Sequence, residues 1–350
     1  MDMRDGISVV ICCYNSRERL PKTLENLAAQ RLRSAIPWEV IVVDNNSTDD
    51  TAEVARRSWP QDAPAPLHVV REPRSGLSFA RHRGIEESRY ELINFVDDDN
   101  WVCPNWIQTI WEVMHSHPEV GACGGPSEAV LEGDEPEWFS WAGFILAVSP
   151  PDWEGGDITD KRLLWGAGLT IRRQAWNHLV QNGFRPLLVG RQGTALTSGE
   201  DSELCLALRL SGWRLWYEPS LRLKHFMPKR RVDWMYLRKI YRATGAAGAV
   251  LSAYYACLEE RQLGWIDWLL SCARSVKHVV CRPGRLLRLR SQLFEGDGEV
   301  LSLESDLGRL MALWQLRKDY VRNAAAIRAA RWRRKNAVAE SQPLNYVSAV

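Results

Sequence analysis

Hydrophobic runs and helical patterns alternate along the first third of the chain. Apolar runs rich in β-branched residues occupy positions 7–13, 38–43, 67–70 and 91–96, and such runs are typical of strands buried on both faces of a parallel sheet. Apolar residues at helical spacing predict helices from Leu20 to Leu27, over Thr51–Ser58 and over 77–88. Repeated β-α-β units predict an α/β fold with a Rossmann-like, mostly parallel sheet and right-handed crossovers.

The rest of the chain is mixed at first and then helical. Its patterns predict helices over 104–117, 173–182 and 200–210, and strands over 120–123, 163–172, 213–217 and 221–226. Residues 132–156 are rich in Pro, Gly and Trp, which predicts a long functional loop or lid. From Val232 onward the pattern is mostly helical, so a helical C-terminal extension is expected after the sheet.

Polar side chains follow each of the first four predicted strands. The strand ends read Tyr14-Asn15, Asp44-Asn45-Asn46, Arg71-Glu72 and Asp97-Asp98-Asp99-Asn100. In open parallel α/β sheets, ligands bind at the carboxyl ends of the strands. Four polar ends that meet at one edge of the sheet therefore predict a binding site there.

The acidic cluster Asp97-Asp98-Asp99 is the most informative of these ends. Adjacent carboxylates raise one another's pKa, so a positive partner is expected to offset their repulsion. Mn²⁺ or Mg²⁺ would do so and would also take phosphate oxygens as ligands. Successive residues of an extended segment point to opposite sides, so Asp97 and Asp99, which are two positions apart, could face one ligand together. The alternatives are a solvated acidic loop or negative charge placed before the helix at 104–117.

Five further residues each have a functional and a structural interpretation. Asp44 could accept hydrogen bonds from a nucleobase or ribose, or only shape its turn. Arg81 could meet a phosphate or form a surface salt bridge. The pair Glu200-Asp201 could supply a general base or complement a helix dipole. His225 could be a metal ligand or a structural histidine.

Composition and charge narrow the class of protein. The 350 residues are 45% hydrophobic and 25% charged with a net charge of +2, so no global field points to nucleic acid. The eight cysteines include no CxxC pair, which favours reduced thiols in the cytoplasm. The sequence shows no signal peptide and no apolar run of spanning length. Basic stretches at 230–231, 282–290 and 331–335 are typical of solvated helix faces or of contact with an anionic membrane.

Five motifs resemble family 2 glycosyltransferases of the GT-A fold. Residues 7–15 are similar to the first strand of that family, 42–49 to the second strand end and 76–84 to the third motif. Residues 95–100 resemble the DXD signature, and 199–204 resemble the segment that supplies the catalytic base. The motifs occur in the family's order and span about residues 6–225.

The resemblance implies roles for the candidate residues. We assign to the nucleotide-sugar-binding set Tyr14, Asn15, Asp44, Asn46, Arg81, Asp97 and Asp98. Asp98 is the member without a firm role of its own. Asp99 and His225 would hold Mn²⁺ or Mg²⁺. Asp201 would be the catalytic base, with Glu200 as the alternative, in an inverting single displacement.

The same resemblance predicts the organisation of the chain. It places a GT-A catalytic domain at 1–228, with a nucleotide-binding half at 1–125 and an acceptor and base half at 126–228. A basic helical region follows at 229–337, and a disordered tail at 338–350. We expect a cytoplasmic protein, with peripheral contact to the inner face of an anionic membrane as a further expectation.

The expected reaction moves a sugar from a nucleotide-diphospho-sugar, with a UDP-sugar favoured, to a hydroxyl of a glycan or lipid-linked acceptor in polysaccharide synthesis. No Q-x-x-R-W motif follows Glu200-Asp201, which favours single addition over processive synthesis. His82 stands where many relatives have Asn. Two alternatives remain: a non-catalytic relative that binds nucleotide-sugar or glycan, and a metal-dependent nucleotidyltransferase, although no Gly-rich phosphate loop follows the first strand.

Overall fold

The computed structural model describes residues 4–149, 153–188, 190, 197–280 and 295–334. The predicted tail at 338–350 lies outside the described residues. Within the described ranges, no helix is both long and apolar enough to span a membrane.

A mostly parallel sheet of eight strands forms the centre of the described chain. Its strands are β1 (Arg4–Cys13), β2 (Trp38–Asp44), β3 (Leu67–Arg71), β4 (Tyr90–Asp97), β6 (Val120–Gly124), β8 (Gly156–Asp157), β9 (Thr170–Arg172) and β10 (Arg214–Tyr217). Their order is β3-β2-β1-β4-β9-β6-β10-β8. Neighbouring strands are parallel except that β9 runs antiparallel to β4 and β6, and β8 antiparallel to β10. The central strands are buried on both faces, as their continuous apolar runs predicted.

A small second sheet lies at the end of β4. Its strands are β5 (Asn100–Val102), β7 (Ser127–Leu131) and β11 (Leu223–Met227), in the order β5-β11-β7. The antiparallel pairing of β11 with β5 sets His225 opposite Asn100. A residue more than a hundred positions away is thereby brought beside the acidic cluster.

Helices cover the sheet and form most of the C-terminal region. They are α1 (Leu20–Ala28), α2 (Thr51–Ser58), α3 (Leu77–Glu87), α4 (Trp106–Ser116), α5 (Phe139–Ala142), α6 (Arg173–Gln181), α7 (Glu200–Leu210), α8 (Trp234–Leu258), α9 (Trp265–Val280), α10 (Gly298–Gln315) and α11 (Tyr320–Arg328). Helix α1 packs on the sheet through an apolar stripe, in which Leu20, Leu24 and Leu27 are fully buried.

The structure corrects two predictions about the middle of the chain. The strand expected over 163–172 is only the three residues of β9, because the segment before it turns at Gly168, whose φ is +76°. The loop expected over 132–156 is partly folded. It contains α5 and the 3-10 turn Gly143–Leu146, and it buries Trp138 and Phe139 in a cluster with Trp234 of α8. Trp138 and Phe139 of the predicted lid are therefore part of a hydrophobic core.

The C-terminal helices share the core of the sheet. Tyr254 of α8, Ile327 of α11 and Trp332 belong to the same buried cluster as Ile93 and Ile171 of the sheet. Helices α8 and α10 touch through backbone, because a Cβ at Gly245 would lie 2.0 Å from the carbonyl oxygen of Ser305. The helical extension is therefore packed onto the sheet.

Candidate active site

Strand register brings the predicted site residues to one edge of the sheet. Cys13 of β1 pairs with Asp44 of β2, and Cys12 pairs with Asp97 of β4. Asp44 and Asp97 therefore stand at nearly the same level, on either side of β1. The convergence that the sequence predicted at the carboxyl ends of the strands is present in the described sheet.

The loop after β1 borders an open cleft. Tyr14 is 55% exposed, and Asn15 adopts a left-handed backbone with φ of 49°. The Asn15 side-chain oxygen accepts a hydrogen bond of 2.8 Å from the Thr48 N–H, which ties this loop to the end of β2. The cleft has a volume of about 710 Å³, and its walls are Tyr14, Asn15, Arg17, Glu18, Arg19, Asp49, Glu132, Phe226, Pro228 and Arg230. Its walls therefore carry three arginines and three carboxylates and are mixed in charge.

Asp98 is held by the first loop and the start of α1. Its Oδ2 accepts hydrogen bonds from the Ser16 hydroxyl and, at 2.6 Å, from Arg19 Nη2. Burial and the charge of neighbouring Asp99 outweigh these contacts and raise the pKa of Asp98 to about 6. Both partners are part of the protein, so Asp98 fixes the shape of the acidic loop. Its assignment to donor binding stays a prediction.

Asp99 lies between His225 and an arginine. The residue is 5% exposed, and its Oδ1 is 3.7 Å from His225 Nε2. Arg231, in the 3-10 turn Lys229–Arg231, donates from Nη1 to Asp99 Oδ2 at 2.6 Å and lies 3.3 Å from His225 Nε2. Burial alone would lower the pKa of Arg231, but the charge of Asp99 outweighs it and raises that pKa. The predicted pair of metal ligands is adjacent, with a guanidinium beside both.

Arg81 of α3 lies inside a second acidic group. Its guanidinium stacks 5.4 Å from the centre of the Phe95 ring, and its Nη1 is 3.9 Å from Glu200 Oε1. Burial alone would lower the pKa of Arg81, but the charges of Glu200, Asp97 and Asp201 raise it. One partly exposed cation therefore links the end of β4 to the start of α7. Arg81 thus forms a salt bridge with Glu200, in which the two side chains are 18% and 21% exposed, and its role toward a phosphate stays a prediction.

Asp201 has a fixed orientation at the first turn of α7. Its Oδ2 accepts a hydrogen bond of 2.8 Å from the Gly166 N–H, and its Oδ1 accepts one of 2.8 Å from the Ser202 N–H. A Cβ at Gly166 would lie 2.7 Å from Arg81 Nη2. A larger residue at this position would therefore displace the end of the Arg81 side chain.

The end of β2 is organised by Asn45, which the sequence did not single out. Asn45 Nδ2 donates to the Arg74 carbonyl at 2.7 Å, and its Oδ1 accepts from the Gly76 N–H at 2.8 Å. Its neighbour Asp44 accepts from the Ser47 N–H at 3.0 Å, and Asn46 is left-handed with φ of 62°. This hydrogen bond supports the interpretation of Asp44 as a turn-forming residue. The Asp44 carboxylate can accept further hydrogen bonds, so it can also bind a ligand.

Sequence reasoning missed the two arginines that contact the acidic cluster. Arg19 precedes the first helix pattern and Arg231 belongs to a basic stretch, so neither position indicates a partner by itself. Their partners depend on how α1 and β11 pack beside β4. The one signal in the sequence is the balance of charge, since three adjacent carboxylates require positive partners.

The donor atoms at Asp99 and His225 suit a divalent ion. Each ligand of Mg²⁺ lies about 2.0–2.1 Å from the ion, so atoms 3.7 Å apart can bind the same ion. Among the described residues, no group of three or more His, Cys, Asp or Glu side chains is placed to hold a metal. An ion here would complete its shell with phosphate oxygens and water, and Arg231 would have to leave Asp99.

Comparison with known proteins agrees with this fold. Residues 8–172, a little under half of the chain, match the family described as Glycosyl transferase family 2, so this segment is similar to that family. The predicted enzyme class, a glycosyltransferase, is thereby confirmed. The predicted fold class, a GT-A α/β sheet with a helical C-terminal region, is confirmed as well.

Individual relatives extend over most of the chain. It is 25% identical over 241 residues to the Glucosyl-dolichyl phosphate glucuronosyltransferase of Haloferax volcanii, covering 67% of this chain and 74% of the relative. It is 26% identical over 233 residues to the Succinoglycan biosynthesis protein ExoM of Rhizobium meliloti, covering 67% and 71%. The crystal structure of S. aureus TarS 1-349 in complex with UDP-GlcNAc is 15% identical with a TM-score of 0.49, covering 92% and 90%.

Proposed function

We propose that this protein transfers one sugar, with inversion, from a UDP-sugar to a hydroxyl of a lipid-linked or glycan acceptor during polysaccharide synthesis. One observation carries the proposal: Asp201 is fixed by two backbone N–H groups in the same charged cluster as Asp97. A donor-side carboxylate and a base candidate thus flank Arg81, as a direct displacement requires.

The proposed donor site is the cleft beside the first loop. Its three arginines can bind a diphosphate, and Tyr14 and Asn15 also line the cleft. Asp44 and Asn46 lie at the next strand end, where they would meet the base or ribose. The similarity to family 2 glycosyltransferases favours uridine as the nucleoside.

The proposed chemistry is a single displacement. Asp201 accepts the proton of the acceptor hydroxyl while the acceptor oxygen bonds to the anomeric carbon of the donor sugar. The bond from that carbon to the diphosphate oxygen breaks, and the nucleoside diphosphate leaves with its electron pair. Glu200, 3.9 Å from Arg81 through its Oε1, remains the alternative base.

We propose that Asp99 and His225 hold Mn²⁺ or Mg²⁺ when the donor binds. A divalent cation at this place would neutralise the developing charge of the diphosphate leaving group. The residues' own task is to offer one carboxylate and one imidazole 3.7 Å apart, close to the donor cleft. Arg231 would move from Asp99 toward the diphosphate, where its guanidinium can bind phosphate oxygens.

The acceptor proposal is supported by the relatives and by the charge of the chain. One relative is named for transfer onto glucosyl-dolichyl phosphate and another for succinoglycan biosynthesis. The region after residue 228 is rich in arginine, and basic segments are drawn to anionic lipid surfaces. We therefore favour an acceptor presented at a membrane.

The test is a pair of variants measured for donor binding and transfer. Asp201→Asn should keep UDP-sugar binding in the presence of Mn²⁺ and lose transfer by about a hundredfold or more, because the proton acceptor is gone. Asp99→Ala should lose both metal-dependent donor binding and transfer. Binding is followed by calorimetry, and transfer by release of UDP.

A variant of the alternative base gives the matched control. Glu200→Gln should retain more transfer than Asp201→Asn if Asp201 is the base. Full transfer by Asp201→Asn would remove the base assignment, and full transfer by Asp99→Ala with EDTA present would remove the metal assignment.

A further inference from the structure

Helix α9 leaves most of its large apolar side chains exposed. Its buried face is mixed and consists of Trp268, Val279 and two serines, Ser271, 6% exposed, and Ser275, 2% exposed. Its outward face carries large apolar side chains whose exposed fractions are 55% for Trp265, 70% for Ile266 and 54% for Leu270. A helix that only packed on this core would place its leucines inward and its serines outward.

The outward apolar residues form one stripe, which Lys277 interrupts near its edge. At about 100° per residue, seven positions fall within an arc of about 140°. They are Trp265, Ile266, Leu269, Leu270, Ala273, Val276 and Val280. All seven are exposed in the structure. An exposed stripe of this kind marks a surface that meets another apolar phase or partner.

Basic side chains border the stripe. Arg274 and Lys277 are exposed on α9 beside Leu270. The only carboxylate of α9, Asp267, is half-buried and accepts a hydrogen bond of 2.7 Å from the Gly264 N–H at the start of the helix. The exposed border is therefore positive and complements an anionic surface.

The helix next to α9 adds apolar surface. Helix α10 is joined to α9 by a hydrogen bond of 2.8 Å from Trp268 Nε1 to the Leu313 carbonyl. Beside Leu313, Trp314 is 64% exposed, and Met311 is 55% exposed. Tryptophan at the edge of an apolar stripe is typical of a helix that lies at the lipid headgroup level.

We propose that α9 lies in the plane of an anionic lipid bilayer and inserts the stripe Trp265–Val280 between the headgroups, with Arg274 and Lys277 on the phosphates. Its 16 residues span about 24 Å along the surface, and their pattern is that of an interfacial helix. Apolar burial and positive charge together favour lipid over a second protein chain. The function of this contact rests on the proposed membrane-presented acceptor, but the binding of α9 to lipid requires neither donor nor acceptor.

The experiment is flotation of the full chain with vesicles of phosphatidylcholine, with and without phosphatidylglycerol. The wild type should float with the anionic vesicles and lose most binding at high salt. Leu269→Glu/Leu270→Glu should bind about tenfold more weakly or worse, because it puts two charges at the headgroup boundary. Both leucines are exposed, so the fold should persist, as a thermal melt will check.

Lys22→Gln/Arg56→Gln is the matched control. It changes the net charge by the same two units on exposed positions of α1 and α2 and should leave flotation within about twofold of wild type if α9 is the contact. Equal flotation of the leucine variant and the control would overturn the proposal.

A second copy of the protein or another part of the chain could cover the stripe instead, and each predicts a different experimental result. A mass that doubles with concentration by light scattering, and halves in the leucine variant, would assign the stripe to a second copy and overturn the membrane contact. A melting temperature lowered only in the leucine variant, with flotation unchanged, would assign it to another part of the chain. Transfer to a soluble acceptor is assayed in parallel, so failure of membrane binding is distinguished from failure of the proposed reaction.

Discussion

Asp99 and Arg231 are separated by more than a hundred positions in the sequence but form one ion pair of 2.6 Å at the centre of the candidate site. The ion pair offsets the repulsion among the adjacent carboxylates Asp97, Asp98 and Asp99, of which Asp99 is only 5% exposed. A buried carboxylate needs a cation or several hydrogen-bond donors close to it. The protein supplies an arginine at the place where the proposed reaction needs a divalent ion.

Removing that arginine should therefore strengthen metal binding. We expect Arg231→Gln to bind Mn²⁺ about tenfold or more tightly in the absence of donor, because the ion no longer competes with a guanidinium for Asp99. Isothermal titration calorimetry with Mn²⁺ measures this directly. The neighbouring Arg230→Gln serves as the control, and equal Mn²⁺ affinity in both variants would show that Arg231 does not compete with the metal.

Glu203 is a second buried carboxylate, and its role is structural. It is fully buried, with the Leu187 N–H at 2.7 Å and the Tyr254 hydroxyl at 2.5 Å from Oε1, and the Leu188 N–H at 2.8 Å from Oε2. Burial outweighs these hydrogen bonds and raises the pKa of Glu203. One side chain thus ties α7, which carries Asp201, to α8 and to the segment before residue 189.

Glu203→Gln should lower the free energy of unfolding by about 1–3 kcal/mol. The two backbone N–H groups donate to different oxygens, so the new amide nitrogen must face one of them and leave a buried donor unsatisfied. Urea denaturation followed by circular dichroism measures the change. The exposed Glu25→Gln is the control and should stay within about 0.5 kcal/mol of wild type; an equally small effect at Glu203 would contradict the argument.

The role of a residue could be predicted from the sequence when it depended on residues close to it in the chain. Asp99 and Asp201 lie in short contiguous motifs, so their positions at a strand end and a helix start could be read directly. Arg231 acquires its partner only when β11 pairs with β5, and Asn45 acts on the chain about thirty residues later. Side chains whose partners are set by tertiary packing left no local pattern to read.

At the scale of elements, the close crossing of α8 and α10 depends on glycine. Besides Gly245, a Cβ at Gly308 would lie 1.9 Å from the Arg242 carbonyl oxygen. The buried Glu304 of α10 pairs with Arg238 and Arg242 of α8, with Arg238 Nη2 at 2.7 Å from Oε1. Backbone contact and buried charge thus fix the same crossing.

Two alanine substitutions on α8 should have opposite signs. Gly245→Ala should destabilise the protein by about 1–3 kcal/mol, because the methyl group would force the helices apart. Gly248→Ala, where the added Cβ would meet only Arg309 Nη1 at 3.4 Å, should stabilise it by up to about 1 kcal/mol through helix propensity. Thermal denaturation of both measures the signs, and destabilisation of equal size would contradict the crossing.

Elements were predictable where one pattern dominated. The strands β1 to β4 follow from continuous apolar runs, and α2 and α7 begin and end at the predicted residues. The short strands β5, β7 and β8 were missed because their two to five residues mix polar and apolar types and depend on partners for their pairing. In the segment 132–156, aromatic burial overrode a composition typical of loops.

At the scale of the whole molecule, the helices after residue 228 and the sheet share one apolar cluster. Tyr254 and Trp332 belong to the same cluster as the central sheet residue Ile171. The domain boundary predicted near residue 228 is therefore open to a direct test. A sheet cut free of these helices would expose apolar surface that is now buried.

A chain that ends at residue 228 should fail to fold as a stable unit. We expect it to aggregate or to bind an apolar dye strongly, while the full chain melts in one transition and binds little. Calorimetry and dye fluorescence of both proteins test this. A truncated protein that melts cooperatively at the wild-type temperature would show that 1–228 is an independent domain.

The outward face of α9 has a consequence for how rate would depend on concentration. An enzyme that rests on a lipid surface searches for its acceptor in two dimensions. Its turnover then follows the mole fraction of acceptor in that surface, and diluting the acceptor with inert lipid slows the reaction even when the bulk concentration of acceptor is constant. A variant that cannot rest there would respond only to the bulk concentration.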